Sequence, residues 1–319
     1  MSVKALNIIF MGTPDFAVDC LDNLIKSKHN VLGVVTAEDK KAGRGKKIKI
    51  SDVKEYCLKN NIKIFQPEKL KNIDFINTMK SFDPDLFIVV AFRMLPEVLW
   101  KIPKLGTINL HASLLPNLRG AAPIHWAIIN GLKETGLTTF FINEKIDQGD
   151  ILLQDEIIIS KEDDFGLLYN KLSKVGADLI VKTIKGIFNN NLYPIKQDLD
   201  TKIKLAPKLN SENTRIDWNK PINKIIGQIR GLSPKPGAWT MIKNGQDEIR
   251  MKILKAEEKE IESLEDKIIG KIVVENGELH IYNSYGITNC LIIQMENKRE
   301  MSAKELINGL KFEENSHVY

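Results

Sequence analysis

Asn109, His111 and Asp147 are the side chains whose types and spacing best suit chemistry at one polar atom. The segment TINLH at 107–111 has the β-branched and apolar alternation of a buried strand, so Asn109 and His111 lie on the same side of it. Asp147 opens an acidic turn, DQGD, about one βαβ unit later. A carboxylate bonded to one imidazole nitrogen would fix its tautomer and favour the charged ring. The pattern therefore predicts a pocket lined by an amide, an imidazole and an acid.

His111 also has an ordinary interpretation, because a buried histidine that satisfies its own hydrogen bonds is commoner than a catalytic one. Two features favour the functional interpretation. Asn109 offers an amide on the same strand face. The strand also runs into SLLP at 113–116, where Pro116 cannot continue a central ladder, and ligand sites in open α/β sheets lie at the carboxyl ends of strands. His125, in the helix that follows, is predicted to be a packing or supporting residue.

Metal binding is not expected, because the chain has no HExxH motif, cysteine cluster or carboxylate–histidine spacing typical of such a site. Its three cysteines form no CxxC pair and leave an odd number, so small buried hydrophobic residues are the simplest explanation.

The turn Gly12-Thr13-Pro14-Asp15 follows the first strand-like segment. Thr13 can cap the next helix, and Pro14 suits its first position. The free amides there could contact a substrate phosphate, but a plain βα turn is the preferred interpretation. A nicotinamide dehydrogenase would need the GxGxxG pattern, of which one glycine is present.

A basic segment, DKKAGRGKKIK at 39–49, combines many cations with two glycines. A solvated surface is the usual explanation of such a run. The glycines and the lack of an apolar period before Ile48 equally suit a mobile basic arm that approaches the phosphates of a nucleic acid. The cations are Lys40, Lys41, Arg44, Lys46, Lys47 and Lys49.

Continuous apolar strands alternate with helical patterns over the first part of the chain, which predicts an α/β, doubly wound domain with a mainly parallel sheet. A long helix over 165–188 closes this domain at about residue 190. A polar stretch without a period, 191–208, is predicted to be a linker. A smaller β-rich domain follows over 209–319, with a helix capped by Asn219, a capping box at Ser302 and a loose tail after residue 311.

The composition is that of an ordinary globular protein, with 319 residues, 43% hydrophobic and 27% charged, and a net charge of +5. That charge is too mild to indicate a nucleic-acid partner by itself. No apolar run approaches the roughly 20 residues of a spanning helix. The short apolar start lacks a signal-peptide cleavage site, so a cytoplasmic protein without membrane association is expected.

Several of these motifs together resemble methionyl-tRNA formyltransferases. They are GTPDFA at 12–17, AGRGKK at 42–47, NLHASLLPNLRGAAPI at 109–124, DQGD at 147–150, LAPKL at 205–209 and RIDW at 215–218. The resemblance spans nearly the whole chain. The SLLPxxRGAAPI string is typical of folate-dependent formyltransferases, and the basic segment and the C-terminal motifs narrow it to the tRNA enzymes.

The resemblance implies transfer of a formyl group from 10-formyltetrahydrofolate to the α-amino group of methionine on initiator tRNA. It implies a Rossmann-like formyltransferase domain followed by a smaller OB-like, tRNA-binding domain, in a chain expected to be a monomer. The site residues implied are the catalytic Asn109, His111 and Asp147, the folate contacts Ser113, Leu114, Leu115 and Pro116, and the tRNA contacts Lys40, Lys41, Arg44, Lys46 and Lys47.

Two segments depart from the family pattern. Asn117 stands where the family commonly has the first arginine of Arg-x-Arg-Gly, and Ala91-Phe92-Arg93 stands where AYG is usual. Both changes could alter how folate or tRNA is held.

Three other functions stay open at this point. A formyltransferase acting on a small amine or an amino-sugar nucleotide would not need the basic segment. A non-catalytic RNA-binding protein would leave Asn109, His111 and Asp147 without a role. A nicotinamide dehydrogenase is disfavoured by the missing glycines.

Overall fold

A computed structural model describes residues 5–42, 47–198, 203–259 and 268–319. The chain forms two compact units. The first comprises the described residues of Met1–Pro123, Thr135–Ile157 and Tyr169–Leu205, and the second those of Ile124–Glu134, Ile158–Leu168 and Ala206–Tyr319. No helix in the described part of the chain is both long and apolar enough to cross a membrane.

The secondary structure elements are numbered in chain order. The strands are β1 (Asn7–Gly12), β2 (Asn30–Val35), β3 (Lys40–Ala42), β4 (Lys47–Lys49), β5 (Ile64–Phe65), β6 (Leu86–Val90), β7 (Thr107–His111), β8 (Arg119–Gly120), β9 (Glu134–Phe141), β10 (Ile151–Ile158), β11 (Leu205–Ala206), β12 (Ala238–Asn244), β13 (Asp247–Lys259), β14 (Ile272–Glu275), β15 (Glu278–Asn283), β16 (Gly286–Met295), β17 (Glu300–Ser302) and β18 (His317–Val318). The helices are α1 (Asp15–Ile25), α2 (Asp52–Lys59), α3 (Ile73–Ser81), α4 (Glu97–Trp100), α5 (Pro123–Ile129), α6 (Phe165–Phe188), α7 (Ile222–Leu232) and α8 (Ala303–Gly309).

The first unit is built on a seven-stranded sheet with the order β10-β9-β7-β6-β1-β2-β5. β5, β2, β1, β6 and β7 run parallel, and β9 joins β7 in the antiparallel direction. The predicted doubly wound domain with a mainly parallel sheet is therefore confirmed. β10 is the edge strand of this sheet and was not predicted; its residues from Leu153 onward alternate between half-buried and exposed.

β6, in the middle of the sheet, is apolar throughout, as expected of a parallel strand covered on both faces. All five residues of β6, LFIVV, are buried. One core cluster places Ile9 and Met11 of β1 and Phe87 and Val89 of β6 against the buried face of α3. These strands hold β7, whose carboxyl end carries His111, in a rigid setting.

Helix starts in the first unit follow local capping chemistry. The Ser51 hydroxyl accepts a hydrogen bond from the Lys54 amide, and the Asn72 side chain accepts from the amides of Asp74 and Phe75. The prediction for α1 is wrong in detail, because Pro14 is itself the N-cap residue and no side chain caps that helix.

The second unit contains a nearly closed antiparallel barrel with the strand order β14-β15-β16-β13-β12-β18, and β17 pairs with β16. Backbone hydrogen bonds from Ile272 to Ser316 and from Val318 to Gly270 join the first and last strands of that order. This confirms the predicted smaller β-rich domain. Its core is formed by the inward residues of the strands together with α7 and α8.

Three local predictions for the second unit have different outcomes. The capping box is confirmed, because the Ser302 hydroxyl accepts from the Glu305 amide and the Glu305 carboxylate accepts from the Ser302 amide. The predicted cap of α7 is wrong, since Pro221 rather than Asn219 is the N-cap residue of this helix. The prediction of a loose tail after residue 311 is also wrong, because β18 pairs with β12 and Val318 is buried.

The basic segment is more regular than predicted. Lys40–Ala42 and Lys47–Lys49 pair as antiparallel strands, with Lys40 opposite Lys49 and Ala42 opposite Lys47. The sequence does not predict this ladder because the two strands, KKA and KIK, are short and lack the apolar alternation that identifies a strand. Lys40, Lys49 and Ile48 are exposed, and Arg44 and Lys46 lie outside the described residues.

Candidate active site

β7 places Asn109 and His111 on one face at the carboxyl end of the sheet. Asn109 lies between Val89 of β6 and Phe140 of β9, and the His111 ring is 7% exposed. Asn109 is half-buried, and its side-chain amide makes no hydrogen bond with any residue that the structure describes. The amide is therefore free to donate to a substrate.

Both nitrogens of His111 face oxygen acceptors. Nε2 lies 2.9 Å from the carbonyl oxygen of Leu118, which can only accept, so Nε2 carries a hydrogen. Nδ1 lies 3.8 Å from Oδ2 of Asp147. This distance suits an ion pair and is too long for the direct hydrogen bond that the sequence predicted. The arrangement accommodates a doubly protonated imidazole, because each N–H then faces an oxygen.

The Asp147 carboxylate is held by a strained turn. Asp147 has a φ of 54°, in the left-handed region that non-glycine residues seldom adopt. Its Oδ2 accepts a hydrogen bond of 2.9 Å from the amide of Gly120, and Gly120 itself has a φ of 124°. The carboxylate is thereby fixed beside the His111 ring.

Gly149 shows why the DQGD turn needs its glycine. A Cβ atom at this position would lie 1.6 Å from the carbonyl oxygen of Phe141, far inside van der Waals contact. The close approach accompanies a hydrogen bond from the Phe141 amide to the Asp150 carbonyl, which ties the turn to the end of β9. Any larger residue would have to displace the turn that carries Asp147.

The SLLP segment is fixed by buried polar contacts. Leu115-Pro116 is a cis peptide. The Ser113 hydroxyl donates to the carbonyl of Asn117 at 2.6 Å, and Thr138 of β9 donates to the carbonyl of Ser113 and accepts from the Leu115 amide. The Gln154 amide donates to the Leu115 carbonyl. The four predicted folate contacts therefore lie on a rigid loop directly after the strand that carries His111.

Sequence reasoning missed Arg119 and Gln197, which lie against this site. Both are buried, and the Gln197 carbonyl oxygen accepts hydrogen bonds from Nε and Nη2 of Arg119. Burial lowers the pKa of the Arg119 guanidinium from its ordinary value, and the charge of Asp147 acts in the opposite direction. Gln197 lies in the polar stretch predicted to be a linker, where no periodicity could identify a buried side chain.

The two departures from the family pattern have visible structural partners. The Asn117 side chain accepts a hydrogen bond of 3.3 Å from the Lys204 amide, and the Leu118 amide donates to the Lys204 carbonyl. Arg93 donates to the backbone carbonyls of Pro67 and Glu68. Each departure thus binds a neighbouring loop of the first unit.

The start of α1 and His125, the other positions considered from the sequence, are poorly suited to bind a ligand. At the start of α1, the Phe16 amide already donates to the Tyr169 hydroxyl and to the Asp15 carboxylate, which favours the plain βα turn over a phosphate contact. His125 stacks on Phe165 with ring centroids 3.7 Å apart, and burial lowers the pKa of its imidazole. It is a packing residue of the second unit. Among the described residues, no cluster of His, Cys, Asp and Glu side chains could hold a metal ion.

Comparison with known proteins identifies the family to which the chain belongs. Residues 6–184 match the formyl transferase family, and residues 208–311 match the formyl transferase C-terminal domain. A protein named methionyl-tRNA formyltransferase from Flavobacterium johnsoniae is 47% identical, covering 99% of this chain and all of the relative. One of the same name from Bacteroides thetaiotaomicron is 42% identical, with 98% of each chain covered. The chain therefore belongs to the methionyl-tRNA formyltransferases within the formyl transferase family, and it is a formyl-transferring enzyme.

Solved structures agree on the fold. WlaRD, a sugar 3N-formyl transferase crystallised in the presence of dTDP and 5-N-formyl-THF, is 22% identical with a TM-score of 0.65, covering 93% of this chain and all of that chain. HypX from Aquifex aeolicus in complex with tetrahydrofolic acid is 16% identical with a TM-score of 0.63, covering 95% of this chain and 47% of that one. At these identities the likeness supports the fold alone.

Proposed function

We propose that the protein transfers a formyl group from 10-formyltetrahydrofolate to the α-amino group of methionine on initiator methionyl-tRNA. The observation that carries the proposal is the pair of the buried His111 and the half-buried Asp147, 3.8 Å apart, on the strand face where the Asn109 amide has no partner among the described residues. The names of the relatives supply the formyl acceptor. The folate bound by structural neighbours is consistent with the donor.

Attack of the amine on the formyl carbon creates a tetrahedral adduct with a developing negative charge on oxygen. Asn109 donates a hydrogen bond to that oxygen. Nε2–H of His111 does so by exchanging the Leu118 carbonyl, its present partner, for the substrate oxygen. Asn109 has no described partner to exchange, and a donor that is already free and fixed stabilises such an oxyanion strongly because it needs no reorganisation.

Asp147 accepts the proton that the attacking ammonium must lose, directly or through a water molecule. The new carbon–nitrogen bond then forms, the bond from the formyl carbon to N10 of the folate breaks, and the folate nitrogen takes up a proton. Donor and acceptor exchange one formyl group for one hydrogen, so no oxidant or reductant is needed.

Neither Ser113 nor any of the three cysteines, all of which are described, is prepared to act as a covalent nucleophile. The Ser113 hydroxyl is committed to the Asn117 carbonyl. Burial raises the pKa of the Cys57 thiol to about 11 and that of Cys290 to about 12, and raises that of Cys20 further, so all three thiols stay protonated at neutral pH. Direct transfer between the two substrates is therefore the simplest route.

We further propose that Ser113, Leu114, Leu115 and Pro116 contact the folate. Support comes from the position of this rigid loop directly after β7, at the carboxyl end where open α/β sheets bind their ligands. The proposed catalytic domain is 1–190, the linker 191–208 and the tRNA-binding domain 209–319. We also propose that the protein is a cytoplasmic monomer and that it uses no metal cofactor.

Lys40, Lys41, Arg44, Lys46 and Lys47 are proposed to contact the phosphates of the tRNA near its acceptor end. Replacing Arg44, Lys46 and Lys47 with alanine should raise the KM for methionyl-tRNA and leave kcat nearly unchanged, because phosphate contacts hold the substrate away from the reacting atoms. The slope of log(kcat/KM) against log salt should become shallower by roughly 2 to 3, since each lost contact removes about 0.9.

The matched control removes three cations elsewhere in the first unit, at Lys59, Lys80 and Lys101, which are all exposed. Its salt slope should stay close to that of the unaltered protein. Equal slopes for both triple variants would show that the basic segment is only a solvated surface.

The acceptor is tested by offering 10-formyltetrahydrofolate with charged initiator tRNA, uncharged tRNA or a small amine, and identifying the formylated product. Formyl-methionine on charged tRNA alone supports the proposal. Product with a small amine alone would replace it with the runner-up, a folate-dependent formyltransferase for a small amine or an amino-sugar nucleotide.

A further inference from the structure

Gln197 uses every hydrogen-bonding group of its side chain within one buried junction. It is 8% exposed. Its amide nitrogen donates to the backbone carbonyls of Asp147, at 3.0 Å, and Gly149, at 2.8 Å. Its carbonyl oxygen accepts from Nε and Nη2 of Arg119 at 3.1 and 2.5 Å. A buried amide with all of these partners has a single orientation.

These contacts close a ring around the proposed acid–base group. The Asp147 carboxylate accepts from the amide of Gly120. Gly120 follows Arg119 in sequence, Arg119 donates to Gln197, and Gln197 donates back to the Asp147 carbonyl. Gln197 therefore joins the turn before α5 to the turn that carries Asp147.

The turn at Asp147 needs such support because its backbone is strained. A left-handed φ at a non-glycine residue is strained and persists only when surrounding contacts determine it. The side-chain amide of Gln197 donates hydrogen bonds to two backbone carbonyls of the DQGD turn, those on either side of Gln148. Loss of these two contacts would let the turn relax and move the carboxylate away from His111.

We propose that Gln197 is a positioning residue, which acts through Asp147 and sets the distance of its carboxylate from the His111 ring. The inference rests on the proposed role of Asp147. The polar groups of Gln197 are all bonded within the protein, so its effect should fall on kcat, while the KM values for the folate and for methionyl-tRNA stay within about twofold. A misplacement of one ångström can cost about a hundredfold in rate, and at least about tenfold is expected here.

Two substitutions separate the contacts. Gln197→Met keeps the length of the side chain and removes all of its hydrogen bonds. Gln197→Glu keeps an acceptor for Arg119 but places a carboxylate oxygen against the carbonyls of Asp147 and Gly149. Both should lower kcat. The second variant retains a partner for the Arg119 charge and provides the test should the first fail to fold.

Gln228 supplies a matched control in the second unit. It is 7% exposed, and its amide also donates to two backbone carbonyls, those of Asn213 and Arg215. Gln228→Met likewise removes two buried hydrogen bonds to backbone carbonyls, so it should lower the midpoint of thermal unfolding and leave kcat unchanged. Equal losses of kcat in the two variants would show that general destabilisation is responsible, and would overturn the proposal.

The deciding measurement is a double-mutant cycle. In an Asp147→Asn background, Gln197→Met should change kcat by less than about twofold, because the group through which it acts is already inactive. A full, multiplicative loss in that background would overturn the proposal. If Asp147→Asn itself kept normal turnover, the proposed function would fail. If Asp147→Asn were inactive and Gln197→Met fully active, only the positioning role would fail.

Discussion

Replacing Asn109 with alanine is expected to lower kcat by about a hundred- to a thousandfold, because one fixed donor to the developing oxyanion is lost. The fold should tolerate the change. The side chain is half-buried and has no hydrogen-bond partner among the described residues, so the free energy of unfolding should fall by no more than about 1 kcal/mol. Steady-state formylation and chemical denaturation measure the two quantities separately.

Asn143→Ala provides the control for Asn109. Asn143 follows β9 and is exposed, and within the described part of the chain its side chain accepts a hydrogen bond only from the Lys145 amide. Its replacement should leave kcat within about twofold of the unaltered protein. Similar losses in both variants would mean that the Asn109 amide has no special relation to the reacting carbonyl.

Asp147→Asn is expected to lower kcat by about a hundred- to ten-thousandfold, the usual contribution of a positioned proton acceptor. The asparagine oxygen can still accept from the Gly120 amide, which preserves the turn. The amide cannot take a proton from the ammonium group. A pre-steady-state measurement with both substrates saturating should locate the loss in the chemical step.

Asp150→Asn removes a charge from the same acidic turn. The Asp150 side chain makes no hydrogen bond with the residues that the structure describes. The backbone carbonyl of Asp150 accepts from the Phe141 amide of β9, and the substitution leaves that contact in place. This variant should therefore retain nearly normal kcat. A comparable loss would indicate that the turn contributes only negative charge, and would contradict a proton-accepting role for Asp147.

The fold class and the strand that carries Asn109 and His111 could be predicted from the sequence because their signals are local. A run such as LFIVV at 86–90 suits a strand covered on both faces, and the period of two in TINLH places Asn109 and His111 together. The capping box at Ser302 follows from residue types three positions apart. The resemblance to formyltransferases rests on equally local strings.

The rest depends on contacts between distant parts of the chain. The 3.8 Å separation of His111 and Asp147 follows from the left-handed turn at Asp147 and the amide of Gly120, neither of which has a periodic signature. Gln197 lies in a polar stretch whose composition resembles that of a linker. The tail was misjudged because β18 is held by pairing with β12, and sequence patterns predict such pairing poorly in short strands.

The most direct test is the single-turnover rate of formyl transfer from 10-formyltetrahydrofolate to methionyl-tRNA by His111→Ala, with both substrates saturating. The control is His125→Ala, which removes a half-buried histidine stacked on Phe165 and should cost stability without loss of turnover per folded molecule. The proposed mechanism predicts a rate on the order of a hundred- to a thousandfold lower for His111→Ala, with folate binding retained. A rate close to that of the unaltered protein would contradict it.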